Sequence, residues 1–195
     1  MEFAARKIAA YIERNKECSV DERAIYEYGI QTGLEMIVCA FVATGIAALL
    51  NMIPQGITFL GIFILLRSYV GGVHLQNFSS CFLCSVFVQT GVLLFAKYVQ
   101  LPEETAWCMM LLGFVLLLSI SPVDHINRIL TKGEKKYCRR KLILIVLGIL
   151  VFSSILSIVG NENFLSLISD TVVVVAVSAV IGKIKFHMDK KRQEH

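Results

Sequence analysis

Within fifteen residues the chain gathers a cation, a double glycine, an imidazole, a polar interruption and a thiol: Arg67, Gly71, Gly72, His74, Gln76, Asn77, Ser79, Ser80 and Cys81. A histidine and a cysteine are the parts of a thiol nucleophile with its base, provided they come within hydrogen-bond reach. On one continuous helix, residues seven apart lie about 10 Å apart along the axis, whereas the bond needs roughly 3 Å. The two can meet only if the chain turns back between them. Gly71-Gly72 opens backbone conformations that other residues avoid and lets another chain approach closely. Gln76, Asn77, Ser79 and Ser80 interrupt the apolar pattern, so a helix break is expected between His74 and Cys81. Asn77, Ser79 or Ser80 can each serve as N-cap of the helix that follows. Each choice puts Cys81 at or near a first helical turn, where the helix dipole and a neighbouring His⁺ favour thiolate over thiol. Free N–H groups at that helix start, or the Gln76 amide, are suited to holding an oxyanion.

Other readings use the same atoms. A cysteine in a membrane helix is commonly only a small apolar residue. Cys81 and Cys84 form a C-x-x-C pair, the arrangement of thiol–disulfide exchange, though a single such pair is a weak signal. His74, Cys81 and Cys84, with His125 or Cys138, have the ligand types for zinc, but the spacing is irregular and no metal site is expected. A transporter would commonly show an internal repeat, and none is evident.

The elements that must position these residues follow from composition. Of the 195 residues 56% are hydrophobic and only 17% charged, with a mean hydropathy of +0.68, a membrane composition. Six apolar stretches recur, roughly 29–52, 53–73, 78–98, 106–120, 142–159 and 164–184. A membrane-spanning helix takes about 20 mainly apolar residues. The first, third and sixth stretches meet that length; the second, interrupted by Arg67, and the short fourth are marginal. The expected fold is an all-α integral membrane protein of about six transmembrane helices in a single domain, 1–195. Residues 1–27 form a cytoplasmic interfacial segment, 28–184 the bundle, and 185–195 a basic tail. An alternative has fewer full crossings, with the His74–Cys81 region or the fourth stretch re-entrant.

The N-terminal segment lacks the clean apolar core of a secretory signal. Ala4, Ile8, Tyr11 and Ile12 recur at helical spacing, which predicts an amphipathic helix on the membrane surface. Ser19 and Glu22 fit a capping box leading into the first span. Lys and Arg alternate between rich and poor connections: five in 1–28, seven in 128–141 and five from Lys183 onward, against single residues or none elsewhere. The positive-inside bias therefore predicts both termini, and the 74–81 connection, on the cytoplasmic side. The net charge of +4 is explained by anionic lipid headgroups and needs no nucleic-acid partner. Six scattered cysteines, four of them at or near a reducing compartment on this topology, do not make a disulfide framework.

Arg67-x-x-x-Gly71-Gly72-x-His74, followed seven residues later by Cys81, resembles the accessory gene regulator protein B family of Firmicutes, membrane peptidases that process autoinducing-peptide precursors for quorum sensing. Tyr28-Gly29 ahead of the first span is also similar, as is the run from Ser121 through Asp124, His125, Asn127 and Arg128 to Leu130 before a basic segment. The chain departs from the family where members often carry a proline after the Asn-Arg or Asn-Lys pair; here Ile129 stands in that place. The resemblance implies His74 as general base and Cys81 as nucleophile of a cysteine endopeptidase without a cofactor. It implies a small amphipathic propeptide (AgrD-like) as substrate, cleaved on the C-terminal side of its signal segment, which is then closed into a thiolactone or lactone ring. It also implies a homodimer in the cell membrane of a Gram-positive bacterium. The alternative function is a membrane thiol–disulfide oxidoreductase using Cys81 and Cys84.

Family substrates carry an acidic recognition segment, which makes Arg67 and the basic loop residues Arg128, Lys132, Lys135, Lys136, Arg139 and Arg140 candidates to receive it; the loop also serves to set topology. Two acids fall inside apolar stretches, where acids are costly and take paired or functional roles. Glu35 and Arg67 belong at similar depth, so an ion pair that positions the Gly-Gly turn is expected. Asp170 is expected not to face lipid.

Overall fold

Long apolar runs with few prolines can satisfy every backbone N–H and C=O inside lipid only as helices, and in the computed structural model the described residues, 20–71, 78–99, 101–122 and 131–193, form helices joined by short turns. The helices are α1 (Val20–Leu49), α2 (Ile53–Val70), α3 (Phe78–Tyr98), α4 (Glu103–Ile120), α5 (Lys132–Ile158) and α6 (Glu162–Gln193). The predicted surface helix and the Ser19 cap lie outside the described residues. By length and composition α2, α4, α5 and α6 each suffice to cross a membrane, and α1 and α3 contribute shorter apolar segments, Gly33–Leu49 and Phe82–Tyr98. The chain is thus an all-α, multi-helix membrane protein. Both stretches that looked marginal, the second and the fourth, are complete helices of 18 residues.

Local chemistry ends each helix. After α1 the chain turns through Asn51 at φ 57°, a left-handed conformation that asparagine tolerates, and Pro54 occupies the opening turn of α2, where no N–H is needed. Glu103 and Glu104 lie in the first turn of α4 and complement the helix dipole there. Gly160, at φ 75°, follows α5; its N–H donates to the Ser157 carbonyl and that of Asn161 to Leu156, a glycine-dependent helix end.

Two expected boundaries move. The segment assigned to a basic loop is helical from Lys132 onward, because Thr131 and Glu134 form a reciprocal capping box. The Glu134 carboxylate accepts from the Thr131 N–H at 2.8 Å, while Thr131 Oγ1 accepts from the Glu134 N–H at 3.3 Å. At the other end, the expected tail from 185 continues α6 to Gln193. At about 1.5 Å per residue its 32 residues make a rod of about 48 Å, longer than the roughly 30 Å hydrocarbon core.

α6 is the central element, packed against α2, α3, α4 and α5. Residues 165–172 are buried without interruption, the pattern of a helix enclosed on every side. One core cluster joins Ile62, Leu66 and Val70 of α2, Met110 and Leu117 of α4 and Val146 of α5 to Ile168, Val172 and Ala179 of α6. A second joins Ala47, Phe59, Val92, Leu93 and Ala96 to Leu167 on another face of the same helix. Small residues bring backbones close, as in membrane bundles generally. A Cβ on Gly113 would lie 2.7 Å from Val172 Cγ1, and one on Gly56 would lie 2.4 Å from the Ala47 Cβ. Leu112, Val115, Leu144, Leu147 and Val151 are exposed on the outer faces, as suits lipid contact.

Candidate functional site

The helix break expected between His74 and Cys81 opens earlier than that, ahead of His74, and is bounded by two described ends. α2 stops at Val70, and Gly71 caps it at φ 78° and ψ −157°, a conformation essentially restricted to glycine. α3 starts at Phe78. Between them, Gly72, His74, Gln76 and Asn77 lie outside the described residues, as does the side chain of Cys81. The backbone of Cys81 belongs to α3 as its fourth residue, within the opening turns, where the unpaired N–H groups lie and the helix dipole is positive. Ser79 and Ser80 are the second and third residues of that helix and are exposed. Neither is the N-cap, because the helix has already begun at Phe78.

Arg67 lies in the last turn of α2, half-buried. Its Nη1 donates to Ser178 Oγ on α6 and, at 3.3 Å, to the carbonyl oxygen of Gly71. This single nitrogen therefore ties the exit of α2 to the central helix. Glu35 is half-buried on α1 and takes part in interactions of its own. It stands fourteen residues before Leu49, and Arg67 stands fourteen after Ile53, so the two mirror one another about the α1–α2 turn. We propose that the two form an ion pair; the interaction that sequence reasoning missed is the one with Ser178, a small polar residue inside an apolar helix.

The basic candidates fall on the first turns of α5. Lys132, Lys136, Arg139 and Arg140 are exposed and Lys135 is half-buried; Arg128 lies outside the described residues. Lys141 extends over the Tyr137 ring at 5.7 Å. Cys84 is an exposed thiol one turn beyond Cys81, and Cys39, Cys84, Cys108 and Cys138 are not in disulfides. Among the described residues no three His, Cys, Asp or Glu side chains gather as metal ligands.

Asp170, expected to avoid lipid, is buried in α6 with only 7% of its surface exposed, and its Oδ2 has no hydrogen-bond partner among the described residues. Gln89 went unremarked in the sequence, although a lone amide in an apolar span is a signal for an interhelical bond. Its Nε2 donates to the Ala43 carbonyl at 2.8 Å, joining α3 to α1. Lys97 Nζ likewise donates to the Leu50 carbonyl at 3.1 Å. These bonds hold α3 in place from its middle and its far end.

Comparison with known proteins gives a consistent result. The family profile described as "Accessory gene regulator B" matches residues 5–181. The chain is similar to "Putative AgrB-like protein 2" of Clostridium perfringens (strain 13 / Type A), 23% identical over 170 residues that cover 84% of this chain and 79% of that protein. It is also similar to a "Putative AgrB-like protein" of Lactiplantibacillus plantarum, 26% identical over 158 residues that cover 80% and 78% of the two chains. No solved structure matches.

Proposed function

The chain belongs to the accessory gene regulator B family, and on that premise we propose that it is a membrane cysteine endopeptidase, with His74 as base and Cys81 as nucleophile, that cleaves a small quorum-sensing propeptide and closes the released segment into a ring. The observation that supports this most is the spacing of two helix ends. α2 terminates at a glycine in a conformation open to few other residues, and α3 resumes at Phe78, so the histidine falls in the connection and the cysteine in the opening turns beyond it.

The chemistry runs in two transfers. Cys81 thiolate adds to the scissile carbonyl carbon, with backbone N–H groups of the α3 start or the Gln76 amide holding the oxyanion. The carbon–nitrogen bond then breaks, and His74 delivers a proton to the leaving amine. The remaining acyl group is a thioester on Cys81. A thiol or hydroxyl of the bound peptide attacks that thioester, its proton passes to His74, and Cys81 departs as the ring closes. With a thiol the exchange replaces thioester by thioester and is close to isoenergetic. Water would divert the intermediate to hydrolysis, and a site at the membrane surface that excludes water limits that loss. An amphipathic propeptide would collect at the cytoplasmic leaflet, and the exposed basic face at the start of α5 is suited to an acidic segment. Both termini are assigned to the cytoplasm, and the working unit to a homodimer.

The test pairs Cys81→Ser with Cys84→Ser in membranes and follows, by mass, cleavage of the propeptide encoded beside the gene. Loss of cleavage with Cys81→Ser alone is the expected result. Equal loss with both substitutions would move the thiol–disulfide alternative ahead.

A further inference from the structure

We propose that Ser178 is a positioning residue for the His74–Cys81 pair, acting through Arg67; the inference rests on the peptidase reading above. Arg67 Nη1 carries two hydrogens in the plane of the guanidinium, and it donates to Ser178 Oγ and to the Gly71 carbonyl together. Carbonyls at a helix end have no partner within the helix, so the Gly71 oxygen is free to be held from outside, and the charged donor strengthens that hold.

Packing supplies the rest of the clamp. Leu66 and Val70, which flank Arg67 along α2, are fully buried. They share a core cluster with Ala176 and Ala179 of α6, two positions before Ser178 and one after it. Apolar packing fixes how close α2 lies to α6, and it is non-directional. The hydroxyl adds direction: it sets where the guanidinium sits, and the guanidinium sets where the Gly71 carbonyl points. Gly71 turns the chain at a positive φ, and His74 follows three residues later, within about 10 Å of extended chain. An error in direction at Gly71 would therefore redirect the start of the connection that carries the imidazole, while the backbone of Cys81 belongs to α3, which has its own anchors at Gln89 and Lys97. Misplacement by about 1 Å is enough to cost a reaction about a hundredfold.

The test needs no propeptide. The full-length protein in phosphatidylglycerol-containing vesicles is treated with iodoacetamide across pH 5 to 10, on the order of the range spanned by histidine and thiol titration. Alkylation of Cys81 and of Cys84 is then followed separately by peptide mass. In the unaltered protein Cys81 is expected to react at neutral pH about tenfold faster than in His74→Ala, the size of effect that one unit of displacement in a titration gives. Ser178→Ala is expected to lose at least about a third of that advantage and to move the Cys81 profile toward that of His74→Ala. Ser178→Thr, which keeps the hydroxyl, is expected to restore it, and the Cys84 profile should not move in any variant. If His74→Ala leaves Cys81 unchanged, the peptidase reading falls and the inference with it. If His74→Ala slows Cys81 while Ser178→Ala does not, only the inference falls. If Ser178→Thr behaves like Ser178→Ala, the hydroxyl is not what matters and the inference is equally overturned.

Discussion

Gly71 combines φ 78° with ψ −157°, where a Cβ would meet the backbone on either side, and such strained conformations cost about 1–3 kcal/mol for other residues. Gly71→Ala is therefore expected to lower the thermal unfolding midpoint in detergent and to reduce cleavage more than the lost stability accounts for, because the residue also sets the direction of the chain toward His74. An alanine variant with unchanged unfolding and activity would show that the turn is not needed. The requirement for glycine here was legible in the sequence, since a double glycine just ahead of a candidate imidazole has few purely structural explanations. The interior placement of Asp170 was legible for the same kind of reason: an acid in an apolar helix has few tolerable environments. The bond from Arg67 to Ser178 was not legible. It joins residues 111 apart in sequence, and nothing in the local pattern around a serine says which distant cation will use it.

At the scale of elements, the six apolar stretches read from composition correspond to the six described helices, because an apolar run in lipid has one way to satisfy its backbone. Boundaries were less legible where two signals compete. Charge density over 128–141 argues for a loop, whereas Thr131-x-x-Glu134 argues for a helix start, and the cap prevails because it satisfies N–H groups that charge alone leaves bare. Helix contacts are less legible still, since a glycine in a span does not announce what it faces. Gly113 faces Val172, whose branched side chain is stiff in a helix. Gly113→Ala is expected to destabilise the bundle by about 1–3 kcal/mol, the usual cost of overpacking, read as a lower unfolding midpoint. Adding Val172→Ala in the same chain removes the clashing methyl and should recover part of the loss. Simple additivity of the two changes would mean that α4 and α6 do not meet at this point.

At the scale of the whole molecule, the charge alternation makes one prediction that packing alone does not. With every helix crossing, the connections at 50–52, 100–102 and 159–161 lie outside the cell, and 71–78 and 121–131 lie inside. In a background lacking the other cysteines, Asn51→Cys and Asn161→Cys should react with a membrane-impermeant thiol reagent on intact cells. Lys132→Cys should react only after lysis. Reaction of Lys132→Cys on intact cells would reverse the orientation and put the proposed site on the wrong side for a cytoplasmic propeptide.

The most enclosed stretch among the described residues, 165–172 of α6, is made of residues that leave the ribosome after those of α1 to α5. α2, α3, α4 and α5 all rest on that helix, so the helices inserted before it have no central surface on which to close. Membrane helices are inserted first and assembled afterwards, and here the order of synthesis sets a waiting period: until α6 enters the bilayer, the serines and the aspartate it carries, and the small-residue faces meant to receive it, have no settled neighbours. Arg67 shares that delay, because Ser178 arrives with the same helix. If the proposed peptidase reading holds, a clamp completed only by α6 would keep the protein inert until that helix is made, and premature termination within α6 would leave lipid-inserted helices without a working site.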